Sequence, residues 1–444
     1  MADHFGDPLA AGSYALLSSS VATGVLGLVY WVIAARVYEP DDLGRASAVL
    51  ATVMLTTNLV SAGFKRGVLR FLPGAGAAQR SLMARTYLVA VAASVVGALV
   101  VAALVLWWSL PGWDDVRGRW MLLAVLAAIP IWAVFTLQDA VLIALRRPWL
   151  VPGKNVAFSV AKLALVAVLA PIGAVAGVVG SWSIPALIAV VVVPIRLGRS
   201  RPVRPTAGRT DDRTDDPVDA QVKEPSPSTS PSPSMREMLS FTGAEHLGVV
   251  LWRSATLLLP VVVLARVDAA AAAGFYLADQ VTYGVYIISS NVADSAVAVA
   301  AGGDEAGGRK AFRSAARLVA LLVGVAVGAL LLVAGPVMGV FGSGYRDETT
   351  ALLILLALAA VPNAFTTLVI GLAHVRRRLR PVVLMQAMMA AGTLGGAWLL
   401  VGGRGVTGVG VAYLLTQSVV AVVAFWVGRK LLSPSEPAPA RTRR

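Results

Sequence analysis

Residues 351–380 read ALLILLALAAVPNAFTTLVIGLAHVRRRLR. The stretch stays apolar for about the ~20 residues that a helix needs to cross a bilayer, then stops at Arg376, Arg377, Arg378 and Arg380. The same sentence structure runs through the whole chain. Twelve apolar runs can be placed, near 13–35, 43–64, 86–108, 120–144, 155–173, 175–195, 240–265, 272–300, 318–340, 350–373, 381–402 and 406–427. Every second gap between them gathers the basic residues. Those even-numbered gaps, with the C-terminal tail, hold 29 Lys and Arg, whereas the odd-numbered gaps and their edges hold only Arg36, Arg45, Arg117, Arg119, Arg266, Arg346 and Arg404. By the positive-inside rule, both termini and all even gaps lie in the cytoplasm of a multi-pass protein of the cytoplasmic membrane. Only Lys162 and Arg253 are left over, and both fall near the middle of an apolar run.

A chain that is 57% hydrophobic and 14% charged, with a mean hydropathy of +0.75, does not make a soluble domain. The net charge of +14 would suggest nucleic acid in a soluble protein, but here it sits in short loops, where it sets topology and meets anionic lipid headgroups. Nucleic acid is therefore not an expected partner. The absence of Cys excludes thiolate chemistry and Cys-based metal sites, and no metal-ligand spacing occurs elsewhere. Met1–Ala11 lacks a basic n-region and a cleavage site, so the first run reads as a retained span.

Hydropathy breaks completely between Arg199 and Ser234, with mixed charge around Asp211–Asp219 and Pro-Ser alternation from Pro225. That segment cannot bury enough apolar surface to fold. Four parts follow: a six-helix lobe over 1–198, a disordered cytoplasmic linker over 199–234, a second six-helix lobe over 235–430 and a cytoplasmic tail over 431–444. The lobes repeat one another. Ala35-Arg36-Val37 with Gly44 recurs as Ala265-Arg266-Val267 with Gly274, and Phe135-Thr136 with Arg146-Arg147 recurs as Phe365-Thr366 with Arg376-Arg377, all 230 positions later. Six spans per repeat is an even number, so both halves enter the membrane in the same orientation and are related by an axis along its normal. The expected architecture is all-α, with twelve transmembrane helices in two lobes around a central cleft.

Charged residues inside spans mark the candidate site. A midplane charge costs roughly 2.5–3.5 kcal/mol on insertion scales, so Arg253 must face protein or water. His246 shares its stripe on the seventh span, and Asn155 shares the stripe of Lys162 on the fifth. One cation from each lobe makes a cationic cleft for an anionic substrate, with Arg suited to bidentate phosphate contact; the bland alternative is a pair of buried ion-pair partners. The eighth span carries Asp279, Tyr283, Tyr286, Ser290 and Asp294 within one arc, a water-facing stripe on which Asp279 lies within reach of Arg253. Carboxylates in such a place also serve to carry a coupling H⁺ or Na⁺. Asp139 and Glu245 are further candidates for that role, or loop-paired carboxylates near the basic face. No catalytic residue and no cofactor beyond a coupling ion is expected.

Ala35-Arg36-Val37-Tyr38-Glu39-Pro40-Asp41-Asp42-Leu43-Gly44, Val68-Leu69-Arg70-Phe71-Leu72-Pro73 and the Gly173/Gly177 turn resemble the polysaccharide biosynthesis flippases of the multidrug, oligosaccharidyl-lipid and polysaccharide exporter superfamily. The resemblance covers nearly the whole chain except the linker. It implies a V-shaped pair of lobes that moves an undecaprenyl-pyrophosphate-linked oligosaccharide between leaflets, with membrane lipids and polysaccharide assembly proteins as partners. The chain departs from that family where an acidic residue is often found in the seventh span: Arg253-Ser254-Ala255-Thr256 stands there instead. Twelve spans rather than fourteen argue against a lipid II flippase.

Two other readings compete. A cation-coupled multidrug antiporter of the same fold prefers carboxylates in its cleft, which counts against it here. A membrane glycosyltransferase or polymerase, whose acidic loop Glu39, Asp41 and Asp42 could mimic, would need an extracytoplasmic domain, and the odd gaps are too short for one; Asp41 and Asp42 read better as carboxylates capping the N-terminus of the second helix.

Overall fold

The computed structural model describes residues 8–73, 79–107, 116–145, 147–199, 235–301, 305–376 and 378–432. The first residue of the proposed linker, Arg199, ends a helix, as do Leu431 and Leu432 of the proposed tail; the rest of both lies outside the described residues. Every described element is helical, as the bilayer demands of a chain whose backbone groups find no water. The first lobe holds α1 (Pro8–Val37), α2 (Pro40–Phe71), α3 (Gln79–Trp107), α4 (Val116–Ala144), α5 (Leu150–Val168) and α6 (Ala174–Arg199). The second holds α7 (Met235–Arg266), α8 (Ala269–Ala301), α9 (Glu305–Phe341), α10 (Arg346–Val375) and α11 (Leu379–Leu432). The last is two spans joined at Gly405, whose φ of +55° and ψ of −148° belong to a conformation only glycine adopts readily. Among the described residues, twelve helices long enough to span a membrane result.

One end of the bundle carries the tight connections: 38–39, a 3₁₀ turn at Ala170–Ile172 followed by Gly173 at φ +95°, 267–268, and a 3₁₀ turn at Ser343–Tyr345. We call it the turn end. The opposite, basic end carries the Lys/Arg-rich connections. Helix starts at the turn end differ from the capping expected. Glu39 occupies the N-cap of α2 without a side-chain cap bond, and Asp41 and Asp42 lie in the first turn, where they meet only the favourable helix dipole. It is Asp268 that caps, its Oδ1 accepting the Ala271 N–H of α8 at 2.6 Å.

The repeat is visible in burial. In the first lobe the central windows of α3 and α4 are 22% and 61% buried; in the second, α9 and α10 are 22% and 56% buried. So α3 and α9 are the lipid-facing members, with Leu88 and Leu332 standing out, while α4 and α10 are central.

Cores are shared at one end and separate at the other. At the turn end, one cluster takes Trp31, Leu43 and Leu50 from the first lobe and Leu259, Phe275 and Leu356 from the second. Three contacts fasten it. The Trp31 and Tyr276 rings lie 4.6 Å apart. A Cβ at Gly44 would overlap the Ala269 carbonyl, so α2 and α8 touch backbone to backbone. Arg36 Nε donates to the Val340 carbonyl at 2.9 Å, and its Nη2 donates to the Gly339 carbonyl at 3.4 Å. Toward the basic end, by contrast, Val68, Leu72 and Leu137 pack within the first lobe, and Val369, Met385 and Val420 within the second. The lobes are therefore clasped at the turn end and splayed at the basic end.

Candidate functional site

Near the basic end, α4 and α5 form a hairpin about the Arg146-Arg147 turn. Asp139 lies seven residues before that turn and Lys154 seven after it, which brings them to one depth. Lys154 Nζ is 2.8 Å from Asp139 Oδ1, donates to the Phe135 carbonyl at 2.8 Å and sits 3.7 Å from the Phe135 ring centroid. Asp139 is thus engaged as the counter-ion of a nearly buried ammonium. Lys65, from α2, lies within electrostatic reach of both Asp139 and Arg253, the latter on α7 of the other lobe. Arg253 itself is exposed. Among the described residues, the mouth of the cleft therefore collects three cations and one carboxylate, drawn from four helices and both lobes.

Sequence reasoning treated Lys65 and Lys154 as topology-setting loop charges and missed their place in this cluster. The symmetric spacing of Asp139 and Lys154 about the Arg pair was the signal that could have found one of them.

Lys162 lies elsewhere, inside the first lobe. Only 6% exposed, it points its Nζ at the faces of Trp182 (4.2 Å), Tyr30 (5.0 Å) and Phe158 (5.5 Å). Among the described residues no carboxylate faces it, and its side chain is buried rather than open to the cleft. Cation–π attraction approaches about 2 kcal/mol at a desolvated face, so three faces offset much of the roughly 2.5–3.5 kcal/mol cost of a midplane charge. By composition alone such aromatic residues in apolar spans look like packing side chains. Phe158, four residues before Lys162 on α5, was the visible sign that they do more. Asn155 is half-buried on the same helix.

On α8, Tyr283 and Ser290 are exposed, as a water-facing stripe requires, while Asp279 and Tyr286 are partly covered. Tyr286 donates to the Leu356 carbonyl at 2.9 Å, and its ring meets Tyr413 at 6.2 Å. The expected reach of Asp279 to Arg253 is not realised. The groups within electrostatic reach of Asp279 are the phenols of Tyr276, Tyr286 and Tyr413, whereas Arg253 lies within electrostatic reach of Lys65. The side chains of Glu245, His246 and Asp294 lie outside the described residues. Among the described residues, no cluster of His, Cys, Asp and Glu could hold a metal ion.

The comparisons with solved structures address this architecture. An inward-facing multidrug resistance transporter of the MATE family and MOP superfamily superposes with a TM-score of 0.66 at 15% identity, over 93% of this chain and 94% of that one. The lipid II flippase MurJ in an inward closed conformation gives 0.68 at 10% identity, over 92% and 87%. This chain has their fold. An outward-facing MATE transporter gives 0.56 at 15% identity, over 95% and 96%. No family profile and no curated protein matches the sequence. Identities this low carry the fold and leave the substrate to the residues.

Proposed function

We propose that the protein is an alternating-access flippase that moves an anionic, polyprenyl-pyrophosphate-linked oligosaccharide across the cytoplasmic membrane for surface polysaccharide assembly. The observation that carries this reading is the pairing of Lys65 and Arg253 across the cleft mouth. Like charges repel, and among the described residues the carboxylate beside them, Asp139, already serves Lys154. A diphosphate between the lobes would neutralise both cations at once, through bidentate contact with Arg253 and a point charge at Lys65. Lys162, enclosed by aromatic rings, adds to the positive field rather than touching phosphate. The basic end is assigned to the cytoplasm by its Lys and Arg, which makes the splayed end the entry side.

Transport chemistry needs no covalent step here, and the proteins that share the fold are transporters and flippases, which supports a non-enzymatic role. Deleting the gene and measuring lipid-linked oligosaccharide by mass spectrometry is the test. Accumulation on the cytoplasmic leaflet is expected, and an unchanged pool would overturn the reading.

Asp279 is the proposed carrier of a coupling H⁺ or Na⁺, since it is a carboxylate on the cleft-facing helix with only neutral phenols near it. Asp279→Asn should lose the response of transport to imposed pH or Na⁺ gradients. An unaltered response to both would leave Asp279 a packing residue. The second reading, a cation-coupled multidrug antiporter, draws on this same carboxylate and on the MATE-like fold. Protection of cells against cationic drugs by the wild-type protein, without any change in lipid-linked glycan, would favour it.

A further inference from the structure

We propose that the aromatic box around Lys162 is an organic-cation site that the protein fills with its own side chain, so that Lys162 bars small alkylammonium ions from the first lobe. Three rings from three helices converge on one ammonium: Tyr30 of α1, Phe158 of α5 and Trp182 of α6. The box is held in shape by bonds that do not involve the lysine. Tyr30 is fully buried and its hydroxyl is fixed to Ser181 Oγ at 2.9 Å, while Ser181 in turn donates to the Val178 carbonyl at 2.8 Å. Trp182 is braced by rings on several sides, with centroids at 5.4 Å from Trp132, 5.9 Å from Tyr30 and 6.2 Å from Phe158. Walls fixed this way would keep their positions after the lysine side chain is cut back.

The chemistry of the walls defines what they bind. Ring faces attract positive charge through their quadrupoles and accept apolar surface, and a set of such faces is the arrangement that recognises quaternary ammonium. Among the described residues no carboxylate lies within electrostatic reach of Lys162, so none of the described walls of the box demands an N–H donor. A tetraalkylammonium ion with methyl groups on every side suits these walls as well as a lysine does. Tethering the cation to α5 abolishes the entropy of capture, so the side chain outcompetes any free cation. The consequence is a specificity device: a lobe that would accept organic cations is closed to them by one residue. This stands apart from the flippase reading, since it concerns a box within one lobe and not the anion site between lobes.

The experiment uses the full-length protein in nanodiscs, with thermal unfolding followed by the emission of its 11 Trp. Tetramethylammonium chloride is the probe, and NaCl at the same ionic strength is the control. Lys162→Ala should unfold roughly 2–4 °C higher in saturating tetramethylammonium than in NaCl, because a ligand that binds only the folded state stabilises it by mass action. Wild type and Lys162→Met, whose unbranched chain still fills the box, should show no such difference. The double variant Lys162→Ala with Trp182→Ala should lose the effect. Equal midpoints for Lys162→Ala in the two salts would overturn the proposal, as would a tetramethylammonium response of equal size in wild type. If Lys162→Ala aggregates, the measurement becomes its recovery as a monodisperse protein on extraction in each salt. Recovery in tetramethylammonium alone supports the proposal; equal recovery, or none in either salt, counts against it.

Discussion

Asp139 and Lys154 separate two roles that a charge can play at the mouth of a cleft. Lys154 is nearly inaccessible and its ammonium already has a carboxylate, a carbonyl and a ring, which marks it as part of the wall. Removing one partner of such a pair strands the other charge. Because Asp139 is about one-third exposed, the cost is reduced from the 3–5 kcal/mol of a fully buried pair to about 2 kcal/mol. Asp139→Asn should therefore lower stability by that amount in detergent, and Asp139→Asn with Lys154→Met should recover most of it. Denaturation midpoints for the four proteins of the cycle check this; additive losses would show that the two side chains do not act as a pair. Lys65 and Arg253 are of the other kind. Among the described residues neither has a carboxylate of its own, so Lys65→Gln and Arg253→Gln should each leave a folded protein with export reduced roughly 10-fold, one charge-assisted contact being worth about 1.5–3 kcal/mol. Export measured at matched membrane levels decides it, and normal export by both variants would remove the anion site. Lys65→Arg, which keeps the charge, should do less harm.

At the scale of elements, hydropathy gave away nearly all the helices and little about which way they face. The runs placed at 350–373 and 381–402 lie within α10 and the first leg of α11, because a membrane helix declares itself by length and composition alone. The Ala-Arg-Val and Gly repeat likewise corresponds to helices of matching rank, α1 with α7 and α2 with α8. What a run does not disclose is its partner. Asp279 and Arg253 share a depth, yet depth does not fix rotation about the helix axis, and the two form no ion pair while Arg253 comes within electrostatic reach of Lys65 on α2. The box around Lys162 was hidden for a related reason: it is assembled from α1, α5 and α6, and no single helix contains its pattern. Gly44 was visible as a repeated residue, but its purpose needed the contact with Ala269. Gly44→Val would force α2 off α8 at the point where the lobes are clasped. We expect the variant to retain helix content by circular dichroism and to lose export. Full export by Gly44→Val would mean that the lobes need not meet so closely.

The molecule as a whole is a clasp at one end and an opening at the other, and transport through it requires that these exchange. Arg36 gives a direct handle on the exchange. Its counterpart in the repeat, Arg266, stays within its own lobe, stacked 4.3 Å from the Trp398 ring centroid, whereas Arg36 crosses to the carbonyls of Gly339 and Val340 at the end of α9. Guanidinium donors at a helix C-terminus meet unpaired carbonyls and the negative end of the dipole, so the crossing is favourable, yet its exposure limits it to about 1 kcal/mol. A latch this weak holds the resting state without trapping it. The chain has no Cys, so Arg36→Cys with Val340→Cys introduces the only thiols in the protein. A short bifunctional thiol reagent that cannot cross membranes should link the two in intact cells, because the turn end is assigned to the outside, and the link should stop export. Cleaving a reducible version of the linker should restore it. Labelling only after lysis would reverse the assignment of the two ends, and export undiminished by the cross-link would mean that the turn end never opens, which no alternating-access mechanism survives.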